Sequence, residues 1–240
     1  MRSAGARKVN PARRKAATKK KAATKKSRYT SPRRLKKIFA ALDQLFPDVE
    51  CALTHGNAFQ LLVATILSAQ CTDERVNKVT PGLFAKYPGP RDFARLDQKV
   101  LEEDIKSTGF FRNKAKNIIG AAKKIVEDFK GKVPKSMDEM LTLPGVARKT
   151  ANVVLGTAFG ISTGVVVDTH VFRISHRLKL SNGKTPENVE QDLVGLVPKD
   201  RWIAFGHQVI WFGRKICQAR KPLCVDCPLE SICDAPDKTA

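Results

Sequence analysis

The chain has 240 residues, a formal net charge of +21 and 42% apolar residues. Residues 1–37 hold sixteen Lys and Arg and no carboxylate, whereas the other 203 residues carry 28 basic and 23 acidic groups. No apolar run approaches the ~20 residues of a membrane span. Six cysteines beside a large apolar fraction, with no secretory leader, point to a reduced intracellular protein rather than a disulfide scaffold.

Residues 1–34 read as a disordered basic tail, too poor in apolar side chains to offset the entropy of ordering. The hexad Lys-Ala-Ala-Thr-Lys-Lys occurs there twice in tandem, at 15–20 and 21–26. Such charge blocks commonly meet nucleic acid; a transit peptide is the alternative, and the repeat lacks the amphipathic face one would need. Beyond the tail the chain reads as helix. Ser31-Pro32 supplies an N-cap and a first-turn proline, followed by Leu35, Ile38, Phe39, Leu42 and Phe46 at helical spacing. The run Phe59–Leu67 is apolar on nearly every side, as for a helix at the centre of a core. Ala115, Ile118, Ile119, Ala122, Ile125, Val126 and Phe129 form a stripe stopped by Gly131. Ser136 and Glu139 form a capping pair for a short helix ending near Leu143. Thr185-Pro186 opens another helix, and Asp200 is expected to cap the one bearing Trp202, Phe205 and Trp211. Only Val165-Val166-Val167 favours a strand, and one such run makes no sheet, so the class is all-α.

Three local patterns carry chemistry. In Leu143-Pro144-Gly145-Val146-Ala147-Arg148-Lys149-Thr150, Gly145 can take the positive φ of a tight turn and a helix follows at once. The first N–H groups of that helix are a site for phosphate. Asp168 follows the valine run and reads as the N-cap of a helix through Arg173, which fixes the direction of its carboxylate. Cys217, Cys224, Cys227 and Cys233 stand at C-x6-C-x2-C-x5-C. Four thiolates on so short a loop repel one another unless a metal ion or cluster holds them. Zinc sites usually pair two C-x2-C knuckles; this loop has one, which tilts the reading toward iron–sulfur. Cys51 and Cys71 read as unpaired thiols near the core, and His55, His176 and His207 as packing or surface residues.

The stretch LPGVARKTANVVLGTAFG, then VDTHVFR, then the cysteine loop, closely resemble the endonuclease III family of DNA glycosylases, over roughly residues 33–235. The resemblance implies an all-α, two-lobed helix-hairpin-helix DNA glycosylase fold with a DNA cleft between the lobes. Residues 51–162 would form a six-helix barrel, and residues 35–50 and 163–240 a lobe holding a 4Fe-4S cluster on the four cysteines. It further implies a monomer that excises oxidised pyrimidines from double-stranded DNA and nicks the abasic strand by β-elimination, in the bacterial cytoplasm on nucleoid DNA. Lys149 matches the family's nucleophile and Asp168 its activating carboxylate, with His170 helping to shape the site. Gly145, Ala147 and Arg148 fall in the DNA-gripping hairpin. Ala147 stands where the family often has glycine; were φ positive there, alanine would cost about 1 kcal/mol. Gln70 matches the residue that fills the hole left by an extruded base. Phe110 matches an apolar wedge, the alternative being that Phe110 and Phe111 are both core residues. Two rival functions stand beside this one. One is a monofunctional glycosylase of the same fold, whose adenine-mismatch branch generally lacks the hairpin lysine; the other is a histone-like DNA binder in which Lys149 and Asp168 are incidental.

Overall fold

A computed structural model describes residues 30–239, and among these the regular structure is entirely helical. The eleven α-helices of the described residues are α1 (Pro32–Leu45), α2 (Ala58–Leu67), α3 (Asp73–Lys86), α4 (Pro90–Arg95), α5 (Gln98–Ile105), α6 (Phe111–Asp128), α7 (Met137–Met140), α8 (Arg148–Phe159), α9 (Thr169–Arg177), α10 (Pro186–Leu196) and α11 (Trp202–Lys215). The tandem hexads lie outside the described residues. Pro32–Arg34, the last residues of the segment expected to be a tail, belong instead to α1. Arg34 donates to the carbonyls of Leu178 and Ile232, at 2.7 Å each, which anchors the helix where disorder was expected.

Two separate hydrophobic cores form. The first is built from residues 53–155 around α2, which buries Phe59, Leu61, Leu62, Val63, Ala64, Ile66 and Leu67. A helix apolar all round has to be central, and α3, α6 and α8 pack about it. The second core joins Ile38 and Leu42 of α1 to Val165, Val167 and residues of α9, α10 and α11. The N-terminal helix therefore packs with the C-terminal third of the chain. Val165–Val167 form no strand; the run crosses as extended chain, with Val165 and Val167 buried, and delivers Asp168 to the start of α9.

The expected caps hold at Ser31, Ser136 and Thr185, each accepting from the backbone N–H three residues on. Asp200 is a correction. A 3-10 turn over Lys199–Arg201 runs straight into α11, Trp202 N–H bonding the Lys199 carbonyl, so no free helix start is left at Asp200 to cap. The short helix α7 ends at Met140, and hydrogen-bonded turns continue it to Leu143. No helix of the described residues is long and apolar enough to cross a membrane.

Candidate active site

Between α7 and α8 the chain turns over Leu143–Ala147, with Leu143 and Val146 buried as anchors. Gly145 has φ +75°, and a Cβ there would lie 2.6 Å from the Cβ of Asn117 on α6. One turn further along α6, Gly120 leaves room for Pro144, which a Cβ at 120 would meet at 3.1 Å. The hairpin is thus seated on α6 at two points of close approach. Ala147 is extended, at φ −92° and ψ 170°, so alanine costs nothing there. No side chain caps α8. Its first N–H groups are left to face an anion, with the positive end of the helix dipole behind them.

Lys149 on the first turn of α8 and Asp168 at the start of α9 line one cleft, a cavity of about 120 Å³ between the two cores. Asp168 Oδ1 accepts the N–H groups of His170 and Val171 at 2.8 Å each, which locks the side chain and leaves Oδ2 for the cleft. The same cleft is lined by Cys51, Asp73, His207, Trp211 and Arg214. Asp73, first residue of α3, pairs with Arg214 near the end of α11, a bond from one core to the other. Burial pushes the Cys51 thiol up and the His207 imidazole down from their ordinary values, so both are neutral near pH 7. His170 packs against Gly213 of α11, and burial holds its pKa down as well. Its backbone N–H holds Asp168, and its ring does not line the cleft.

Arg148 turns away from the hairpin's outer face. Its guanidinium donates twice to Glu190 of α10, at 3.0 and 3.2 Å, and Asn152 Nδ2 donates to the same carboxylate at 3.0 Å. Glu190 is 8% exposed. Thr163 Oγ1 donates to Asn152 Oδ1 at 2.7 Å, and Gly164 is held so close that a Cβ would fall 1.9 Å from Glu190 Oε1. The network ties the helix carrying Lys149 to the segment carrying Asp168. Glu190 escaped the sequence reading because a carboxylate on a polar helix looks solvated.

Two loops project beside the hairpin. Gln70 follows α2 and Phe110 precedes α6; both are exposed and both adopt left-handed backbone, at φ +53° and +48°. Phe110 is 64% exposed, whereas Phe111 packs on the first core, so the two phenylalanines divide between the expected wedge and the core. Gln70, Phe110, Gly145 and Thr150 share the lining of one groove.

The four C-terminal cysteines line a single, almost wholly apolar cavity with Leu178, Phe212, Ile216 and Leu229. All six cysteines of the chain are free thiols. Burial pushes the Cys217 and Cys227 thiols up. Arg177 donates to Cys217 Sγ at 3.3 Å, and the backbone N–H of Thr239 donates to Cys224 Sγ at 3.5 Å. Among the described residues no three His, Cys, Asp or Glu side chains are drawn close enough together to hold one metal ion. A donor set of four sulfurs around an apolar cavity, with N–H groups directed at two of them, fits a cysteine-held cluster. Arg214, three residues before Cys217, turns away from the cysteines, pairs with Asp73 and lies over the Trp211 ring.

Residues 63–199 match the HhH-GPD superfamily of base excision DNA repair proteins. Endonuclease III of Synechocystis is 57% identical over 201 residues, spanning 84% of this chain and 92% of that protein. Endonuclease III of Bacillus subtilis is 49% identical over 203 residues, 83% and 92% of the two chains. Among solved structures, a trapped endonuclease III–DNA covalent intermediate superposes with a TM-score of 0.82 at 43% identity, covering 85% of this chain and 96% of that one.

Proposed function

The chain belongs to the HhH-GPD superfamily of base excision DNA repair proteins, in its endonuclease III branch, and on that premise we propose that it excises oxidised pyrimidines and cleaves the strand at the resulting abasic site. One observation carries the chemistry: an amine and a carboxylate from different helices face the same cleft beside an uncapped helix start. The hairpin grips the DNA phosphate through the first N–H groups of α8, the Val146 N–H being held by the Leu143 carbonyl, while the target nucleotide leaves the stack. With its guanidinium held by Glu190, Arg148 contributes its backbone N–H rather than its charge.

Lys149 Nζ, once deprotonated, attacks the sugar C1′, and the C1′–N bond breaks with the electron pair leaving on the base. Asp168 Oδ2 stabilises positive charge that develops on the ring and receives the proton the amine sheds. The lysine nitrogen's lone pair then breaks the C1′–O4′ bond, O4′ taking up a proton as the ring opens to an iminium. Loss of the C2′ proton from that iminium expels the 3′ phosphate, and water releases the lysine. Gln70 and Phe110 enter the duplex, where an inserted side chain offsets part of the stacking lost on extrusion.

Cys217, Cys224, Cys227 and Cys233 would hold a 4Fe-4S cluster. Such a cluster would cross-link the C-terminal loop rather than do redox work in base excision. We infer a cytoplasmic monomer that acts on double-stranded DNA carrying a damaged base or abasic site; the endonuclease III–DNA complexes it resembles support the duplex as partner.

Borohydride reduction on an abasic duplex tests the reading, since it freezes an iminium as a covalent adduct. The parent should be trapped and Lys149→Ala should not. Undiminished trapping of that variant would move the nucleophile elsewhere, and base release without any trapping would favour the monofunctional alternative. Asp168→Asn separates chemistry from folding because asparagine caps a helix as well as aspartate does. Its base release should fall sharply while its melting temperature stays near the parent's.

A further inference from the structure

Lys114 lies on α6 and is 5% exposed, and among the described residues no carboxylate acts on its charge. Its Nζ donates to two backbone carbonyls, Leu67 and Thr108, at 2.8 Å each. Leu67 is the last residue of α2, and Thr108 closes the 3-10 turn over Lys106–Thr108. Both carbonyls sit at helix ends, where the chain has no further N–H to offer them, and a cation is the favourable partner. Burial pushes the Lys114 pKa down, while two of the ammonium's three N–H donors are taken up by these carbonyls.

Each of these carbonyls lies just upstream of a projecting loop. Gln70 comes three residues after Leu67, and Phe110 two residues after Thr108. Both are non-glycine residues in left-handed backbone, a conformation that persists only where its surroundings enforce it. Lys114, Asn117 and Gly120 share one stripe of α6 at three-residue spacing. The same stripe that seats the hairpin through Gly145 and Pro144 therefore also holds both projecting loops.

We propose that Lys114 is a positioning residue that joins the Gln70 and Phe110 loops into one rigid pair, setting the gap at which they enter the duplex and so the rate of base extrusion. The inference rests on the reading of those two loops as the elements that enter DNA. Lys114 itself touches neither the base nor the sugar. Its influence belongs to the extrusion step and not to the chemistry at C1′.

The test compares two substrates for the full-length protein under single turnover. One is a duplex with a single thymine glycol, which must be extruded; the other is a duplex with a preformed abasic site, which has no base to remove. Lys114→Met keeps the apolar stem and loses both bonds. Lys114→Arg keeps donors but is larger and spreads the loops. Both are expected to slow base release, Lys114→Met by about 100-fold, as for a displacement of about 1 Å at a reacting group. Cleavage at the preformed abasic site should fall by much less. A 2-aminopurine placed opposite the lesion should report slowed insertion in the same variants. Equal losses on the two substrates, or none, from whichever variant folds would overturn the proposal. Gln70→Ala and Phe110→Ala separate the role of the loops from the role of the lysine. If they leave base release intact, the reading of the loops fails; if they slow it while the Lys114 variants do not, only the role of Lys114 falls.

Discussion

Two glycines with nearly the same backbone angle separate conformational strain from steric exclusion at the hairpin. Gly145 has φ +75° and Gly160, at the C-terminal cap of α8, has φ +65°. A Cβ at Gly160 meets nothing within 4 Å, whereas one at Gly145 lies 2.6 Å from Asn117 Cβ. That atom is fixed to the α6 backbone and cannot rotate away. Gly160→Ala should then lose only the left-handed penalty, about 1 kcal/mol. Gly145→Ala adds overpacking of about 1–3 kcal/mol, for a total of about 2–4 kcal/mol. At about 2–4 °C per kcal/mol for a protein of this size, a mid-range loss of about 3 kcal/mol corresponds to a melting point lower by roughly 6–12 °C; for Gly160→Ala the same conversion gives roughly 2–4 °C. Circular dichroism melts of the purified proteins measure both. The Gly145 variant should also bind abasic duplex more weakly, since relief of the overlap moves the turn off α6. Melting points for the two variants within a degree of each other would refute the claim that close approach to α6 seats the hairpin.

The Arg148–Glu190 pair should couple across the cleft. Arg148→Ala leaves a nearly buried carboxylate with only the Asn152 amide, at a cost of about 1–3 kcal/mol, and a double-mutant cycle with Glu190→Ala should return a coupling of at least about 0.5 kcal/mol; additive effects would show that the pair does not act as a unit. His207 predicts the pH response. Its folded pKa lies below the ordinary 6.5, so as pH falls through 6.5 the unfolded chain takes up a proton first and stability declines until the folded pKa is passed. Urea titrations from pH 7 to 5 should show that decline, and a shallower one in His207→Gln. Iron removal should loosen the second core, against which Cys217, Cys227 and Cys233 pack, and weaken binding to abasic duplex; an iron-free protein with unchanged affinity would refute an organising role for the cysteine loop.

What could be read from the residues in advance was whatever has a local cause. Asp168 announces itself as a cap because the helix it opens follows at once, and Gly145 because only glycine suits a turn that tight. The cysteine loop is legible in its spacing alone. Lys114 and Glu190 were not, because Leu67 lies 47 residues from Lys114 and Arg148 lies 42 from Glu190 along the chain, and each looks, in its own helix, like an ordinary surface charge. The left-handed backbone at Gln70 and Phe110 was equally hidden, since no glycine marks it. Asp200 failed for the opposite reason: its local signal was sound, and a preceding 3-10 turn had already used the N–H groups it would have capped.

The proposed nucleophile, Lys149, and its carboxylate, Asp168, come from helices rooted in different cores, so the reacting geometry depends on how firmly the cores are joined. Two ion pairs make that join around the cleft, Arg148–Glu190 on one side and Asp73–Arg214 on the other. Between them Gly164 leaves no space for a side chain, and the chain runs on through the buried Val165 and Val167 to Asp168. Lys149 gains its place from α8, whose partner in the Glu190 network is Asn152, less than one turn further along the same helix. Displacing α10 would therefore move the amine and the acid together rather than apart. A cleft braced in this way can admit a nucleotide and still hold its two reacting groups at a constant separation, which is what attack at C1′ requires.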